Sequence, residues 1–180
     1  MATGVSFASM TGLSVEELTD GSDAVVQGKV ERLMPRWSDD GKKIITTAYI
    51  RVSEVVRGTN LYKGGQGALM QVEYEGGEIG DIGYKRADVS ALTLSDEVFV
   101  FVKAGSIDQG QEPRSQQDRL GKKAVGLEVA HTIVGLGQGI YKVDSDGMAR
   151  KNDFSIIAGH EKVQSSLPVK QLKDIVKGVK

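Results

Sequence analysis

The chain has no cysteine. That single absence excludes disulfides, thiolate metal centres and a cysteine nucleophile. Proline is scarce, with three in 180 residues, and aromatic side chains make up only 6%, whereas a surface that grips single strands by stacking needs several aromatics over a basic groove. Neither sign of charge dominates: 23 basic against 24 acidic residues leave a formal net charge of −1, so no global field draws in a polyanion. Generic nucleic-acid binding is disfavoured. No apolar run approaches the 18 or so residues of a helical membrane span, and the N-terminal residues lack the sections of a signal peptide. Met1-Ala2-Thr3-Gly4 reads as an appended start on a mature chain. The expectation is an exported protein, periplasmic or extracellular, with its signal removed; a cytoplasmic location stays open.

Glycine is what the chain has in excess, 23 in 180 against a usual share of about 7%. It implies many turns or a backbone-lined surface. The length suits one domain, residues 1–180, with one core. Residues 24–34 and 43–56 are two long β-patterned runs flanking Ser38-Asp39-Asp40-Gly41, whose Asp-Gly pair tolerates the positive φ of tight hairpins. On the first run Ala24, Val26, Gly28 and Val30 share a face; on the second Ala48, Ile50 and Val52 do, with Thr47, Tyr49 and Arg51 opposite. The phase slips after Ser53, which predicts a β-bulge at Ser53-Glu54, and Gly28 predicts a bend in the facing strand. Further strands are expected at 68–74, 97–103, 123–130 and 139–143, with a last turn at Asp144-Ser145-Asp146-Gly147.

Two helices frame these strands. Residues 13–20 carry a capping box, Ser14 with Glu17 three residues on, and Gly21 to end the turn. Pro168 opens a helix over 167–179 with Val169, Leu172, Ile175, Val176 and Val179 on one stripe, expected to pack across the barrel. The fold expected is therefore mainly β: an OB-like barrel of five or six strands over residues 23–147, with a short N-terminal and a C-terminal helix and long loops at 75–95 and 105–122.

Candidate chemistry is thin, and the chain is expected not to be an enzyme. The two histidines, His131 and His160, would have to meet and recruit Glu128, Glu161 or an aspartate to hold zinc; no metal or other cofactor is expected. No serine sits in a Gly-x-Ser-x-Gly elbow. Asp144-Ser145-Asp146-Gly147 is too short for a calcium loop and is followed by Arg150 and Lys151. The 75–95 loop is the more suggestive stretch. Gly76 and Gly77 let the backbone lie flat against a neighbour, Ile79, Ile82 and Tyr84 can act as apolar anchors, and Glu78, Asp81, Lys85 and Arg86 as a polar rim. The alternative is that the same apolar residues cap the barrel's own core. A second candidate surface is a ligand platform of Trp37 and Tyr49.

Residues 22–30, Ser-Asp-Ala-Val-Val-Gln-Gly-Lys-Val, and 50–58, Ile-Arg-Val-Ser-Glu-Val-Val-Arg-Gly, resemble the first two strands of netrin-like modules. These are OB-fold barrels that include the tissue inhibitors of metalloproteinases. More loosely, the layout with its Gly-Gly-Glu-Ile-Gly loop and later Gly-Leu-Gly-Gln-Gly run resembles small exported bacterial proteins without an assigned role. The inhibitors chelate the protease zinc through a disulfide-braced N-terminal cysteine, and a cysteine-free chain cannot do so. What the resemblance implies is a protein-binding scaffold. Partner binding through Gly76 to Arg86 is thus the leading expectation, with a small-ligand, oligosaccharide or metal-binding barrel, or a self-associating structural subunit, as alternatives.

Overall fold

The computed structural model describes residues 10–58, 65–105, 130–152 and 156–180. Met10–Thr11 (β1) precedes the helix Val15–Asp20 (α1). The capping box is in place: the Glu17 amide donates to Ser14 Oγ at 3.2 Å, and the Ser14 amide donates to the Glu17 carboxylate at 2.9 Å. Two 14-residue strands follow, Ala24–Trp37 (β2) and Ile44–Arg57 (β3), then Leu69–Glu75 (β4). Gly77–Ile79 (β5) and Ile82–Tyr84 (β6) form a ribbon of their own. After it come Glu97–Ala104 (β7), His131–Ile133 (β8), Ile140–Val143 (β9), Met148–Arg150 (β10), Ile156–Ala158 (β11), Ser166–Pro168 (β12) and the helix Val169–Gly178 (α2).

The strands close into a barrel. β2, β3 and β4 form an antiparallel meander, β4 pairs in parallel with β8, β8 pairs antiparallel with β7, and β7 returns to β2. Numbered along the ring, the order is 1-2-3-5-4-1, an OB-like closed barrel. β7 is the pivot: one edge pairs with β2, while the other is divided between β9 at Val98–Val100 and β8 at Val102–Ala104. The β9 branch continues through β10 to β12.

Both bend signals are realised at one place. Gln27 pairs with Glu54 and Gly28 with Val52, so Ser53 is the extra residue of a bulge. A Cβ on Gly28 would lie 2.4 Å from the Arg51 carbonyl oxygen, so only glycine lets the strands close up where the wall bends.

One core was expected, and two are present, one on each face of the sheet. The lumen holds Ala24, Val26, Val30, Ala48, Ile50, Val52, Met70, Val72, Val98, Val100 and Val102. The outer cluster packs Val25, Val56, Phe99, Phe101 and Tyr141 beneath α1 and α2. The second cluster explains why 98–102, Val-Phe-Val-Phe-Val, is an unbroken apolar run: a strand buried on both faces has no polar side to alternate with. α2 turns Leu172 and Val176 into this layer, outside the barrel wall. The Arg57 guanidinium donates to the Val176 and Val179 carbonyls at the end of that helix.

The fifth expected strand, 123–130, falls largely outside the described residues, as do the 106–122 part of the polar loop and Met1 to Gly4. Closure is made instead by the three residues of β8. The 75–95 loop is not irregular throughout, since it contains the β5–β6 ribbon.

Candidate functional site

The ribbon is placed by two glycines and one hydroxyl. β4 ends at Glu75, and the Gly76 amide donates to the Ile44 carbonyl at 2.8 Å while Thr46 Oγ1 donates to the Gly76 carbonyl at 2.6 Å. Gly77 then lies directly over the β2–β3 hairpin. Its φ is 134°, and a Cβ there would sit 2.4 Å from Thr46 Oγ1, 3.3 Å from Ile44 and 3.4 Å from Pro35. No other residue type permits that approach. Gly80-Asp81 forms the tip, between the paired Ile79 and Ile82.

Two apolar side chains stand out of this arrangement. Ile82, beside the ribbon tip, is 54% exposed, and Trp37, at the end of β2, is 41% exposed. Trp37 pairs with Ile44, and Pro35 pairs with Thr46. Trp37 therefore shares the hairpin face against which Gly77 packs. Ile79 and Tyr84 are half-buried, and Glu78 and Asp81 are exposed. None of Ile79, Ile82 and Tyr84 belongs to the lumen cluster or to the partly buried residues packed against it.

Arg86 has a different part from the one its position suggested. Its guanidinium grips Asp88 with Nε at 2.8 Å and Nη2 at 2.6 Å, and Nη1 reaches Glu75 at 2.8 Å. Lys43 adds a second cation to Glu75 at 3.1 Å. The paired carboxylates push the Arg86 pKa upward, and Arg86 in turn holds Asp88 below the usual carboxylate range. Burial pushes Glu75 up, but the hydrogen bonds from Arg86 and Lys43 outweigh it and bring it down. Arg86 is a clamp at the foot of the ribbon, spent on internal contacts.

Trp37 and Tyr49 do not form one platform. Ile44, paired with Trp37, and Tyr49 are five positions apart on β3, so they project from opposite faces, and the Arg32 guanidinium already stacks over the Tyr49 ring at 4.1 Å. The histidines are likewise apart. His131 is buried in the barrel wall with Nδ1 3.3 Å from the Gln71 carbonyl, its pKa lowered by burial. His160 is exposed in the turn His160–Lys162. Among the described residues no group of three or more histidines and carboxylates is placed to hold a metal. Asp144 and Asp146 both accept from Arg150, and the Gly147 amide closes a β-turn on the Asp144 carbonyl.

Two buried polar residues gave no sequence signal. Gln138 bridges the barrel to the N-terminal segment, accepting from the Leu13 amide and donating to the Thr11 carbonyl. Lys151 is buried against Tyr141, and among the described residues its Nζ has no hydrogen-bond partner. Gln138 belongs to the Gly-Leu-Gly-Gln-Gly run, but nothing in that run shows its partners, which come from the distant segment at Thr11 and Leu13. The chain matches no protein-family model and no curated protein.

Proposed function

We propose that this protein is a non-enzymatic interaction module that binds another protein through the β5–β6 ribbon together with the tip of the β2–β3 hairpin. The observation that carries it is the pair of exposed apolar side chains, Ile82 and Trp37, on two hairpins locked together at Gly77. Apolar and aromatic anchors rimmed by polar groups are what protein contacts use. Glu78 and Asp81 supply that rim. The clamp of Arg86 on Glu75 and Asp88 holds the ribbon in one position, which lowers the ordering cost of binding. Kinship with netrin-like modules and an exported location belong to the same reading; the OB-like ring and the capped helix ahead of the first long strand support the former.

A photo-crosslinking residue at position 82, in protein expressed in its native host, tests the proposal. A discrete adduct with one partner is expected, lost on Trp37→Ala and absent when the probe is at Asp144 on the far turn. Equal labelling from both positions would overturn it.

A further inference from the structure

A cleft of about 300 Å³ opens beside the foot of the ribbon, lined by Glu75, Arg86, Val89, Thr132, Ile133 and Leu136, among others. That is the lower end of the range for small-molecule sites and too small for a macromolecular segment of any length. Val89 and Ile133 are only partly buried although both pack against the lumen cluster. Leu136 forms the lip and is 42% exposed.

The backbone of Leu136 is the informative feature. Its φ is +56°, a left-handed conformation that is uncommon for any residue but glycine, asparagine and aspartate. It follows Gly135, at +65°. Strain of this kind persists only where neighbours over-determine it, and it concentrates at ligand clamps. Here the neighbours are identifiable: the Gly137 amide donates to the Asp88 carbonyl at 2.9 Å, and Asp88 is itself gripped by Arg86. The turn seats Gln138, which ties the barrel to Leu13 and Thr11, but that does not account for a leucine side chain left 42% exposed at the mouth of the cleft. A contact with a ligand does.

The charges around the cleft select the kind of ligand. Glu73 pairs with Arg36, Glu75 with Lys43 and Arg86, and Asp88 with Arg86. Each charged side chain of the lining, Glu73, Glu75 and Arg86, already has an opposite charge beside it, so a charged guest would lose its hydration and displace an existing ion pair. A neutral guest loses little. Carboxylate oxygens retain acceptor capacity beyond one ion pair, which favours a guest with one hydroxyl or N–H donor on an apolar body. We propose that this cleft is a binding site for a small, neutral, mostly apolar molecule carrying one hydrogen-bond donor, held under the Leu136 lip.

The test is amide NMR titration of the whole chain with indole and 2-phenylethanol, each neutral with one donor, against 2-phenylethylamine and phenylacetate as charged matches. Saturable shifts at residues 74, 75, 86, 89 and 132–136 are expected from the neutral pair alone. Leu136→Gly relieves the strain and removes the lip, so the variant should melt no lower than the parent and bind about tenfold more weakly. Leu136→Ala, which keeps the strain, should weaken binding similarly. The proposal fails if neither neutral probe gives saturable shifts, if the shifts lie elsewhere, if the charged probes bind as well, or if both variants bind like the parent. Ile82→Ala should leave this binding untouched, so its outcome is independent of the protein-binding reading.

Discussion

The ammonium of Lys151 sits 4.7 Å from the centroid of the Tyr141 ring, in a residue only 8% exposed, with no hydrogen-bond partner among the described residues. A cation–π contact offsets part of the desolvation cost, by about 0.5–2 kcal/mol, and burial lowers the Lys151 pKa to about 8.

Stability should therefore rise with pH in the alkaline range. The folded pKa, about 8, lies below the unfolded value of about 10.4, so between them the unfolded chain binds more protons and stability climbs. Below about pH 8 both states carry the charge, and the cost is constant. Lys151→Met should stabilise the protein at pH 7 by on the order of 2 kcal/mol and flatten that climb. Urea unfolding at pH 7, 8 and 10 reads both effects; a parent protein equally stable at pH 8 and 10 would show that the amine is solvated.

Gly77→Ala should destabilise by about 1–3 kcal/mol, since it forces both a disfavoured φ and contact with Thr46. Adding Thr46→Ala would remove the contact but also the hydrogen bond to the Gly76 carbonyl, so it should not restore the parent's stability. Gly80→Asn is the contrast. With φ at 59° and nothing within 4 Å of its Cβ, that position accepts a residue that tolerates the left-handed region, and melting should show almost no change.

Arg86→Met should cost about 1–2 kcal/mol at pH 7, because it strips a two-armed clamp from partly buried carboxylates. The Asp88 and Glu75 pKa values are depressed, so the stability they contribute is present above their unfolded pKa values and lost as pH falls through the folded ones. The variant should lose less stability than the parent between about pH 5 and 2. Arg86→Lys should rescue little, since an ammonium cannot make the paired contacts. An acid titration identical in parent and variant would rule the clamp out.

Ser14→Ala should lower stability by about 1 kcal/mol through loss of the N-cap. Glu17 also pairs with Lys162 at 2.7 Å, so Glu17→Gln, which preserves one capping hydrogen bond but removes the charge, should cost less. Chemical denaturation of the two variants side by side distinguishes cap from ion pair.

Local rules made much of the fold legible. Strand alternation placed Ala48, Ile50 and Val52 on the lumen face, the phase slip after Ser53 located the bulge, and Ser14 with Glu17 marked the first helix, because each depends on neighbours within a few residues. The apolar stripe of the last helix was equally plain, although the surface it covers was not. A periodicity shows which side of an element is apolar and says nothing of what lies against it.

Tertiary structure alone decided the rest. Closure by the three-residue β8 depends on pairing with β4 and β7, whose contributions lie far away in sequence. Arg86 read as part of a polar rim because no short-range pattern shows that Glu75 and Asp88 fold around it. Trp37 and Tyr49 read as one platform until the register put them on opposite faces. The burial of Lys151 left no mark in the sequence, and the Gly-Leu-Gly-Gln-Gly run did not show that Leu136 takes a positive φ, since burial and positive φ at a non-glycine residue are imposed by distant packing. Periodicity, caps and turns are properties of adjacent residues, whereas a site is an assembly of residues from separate segments, and only the closed barrel brings those segments together.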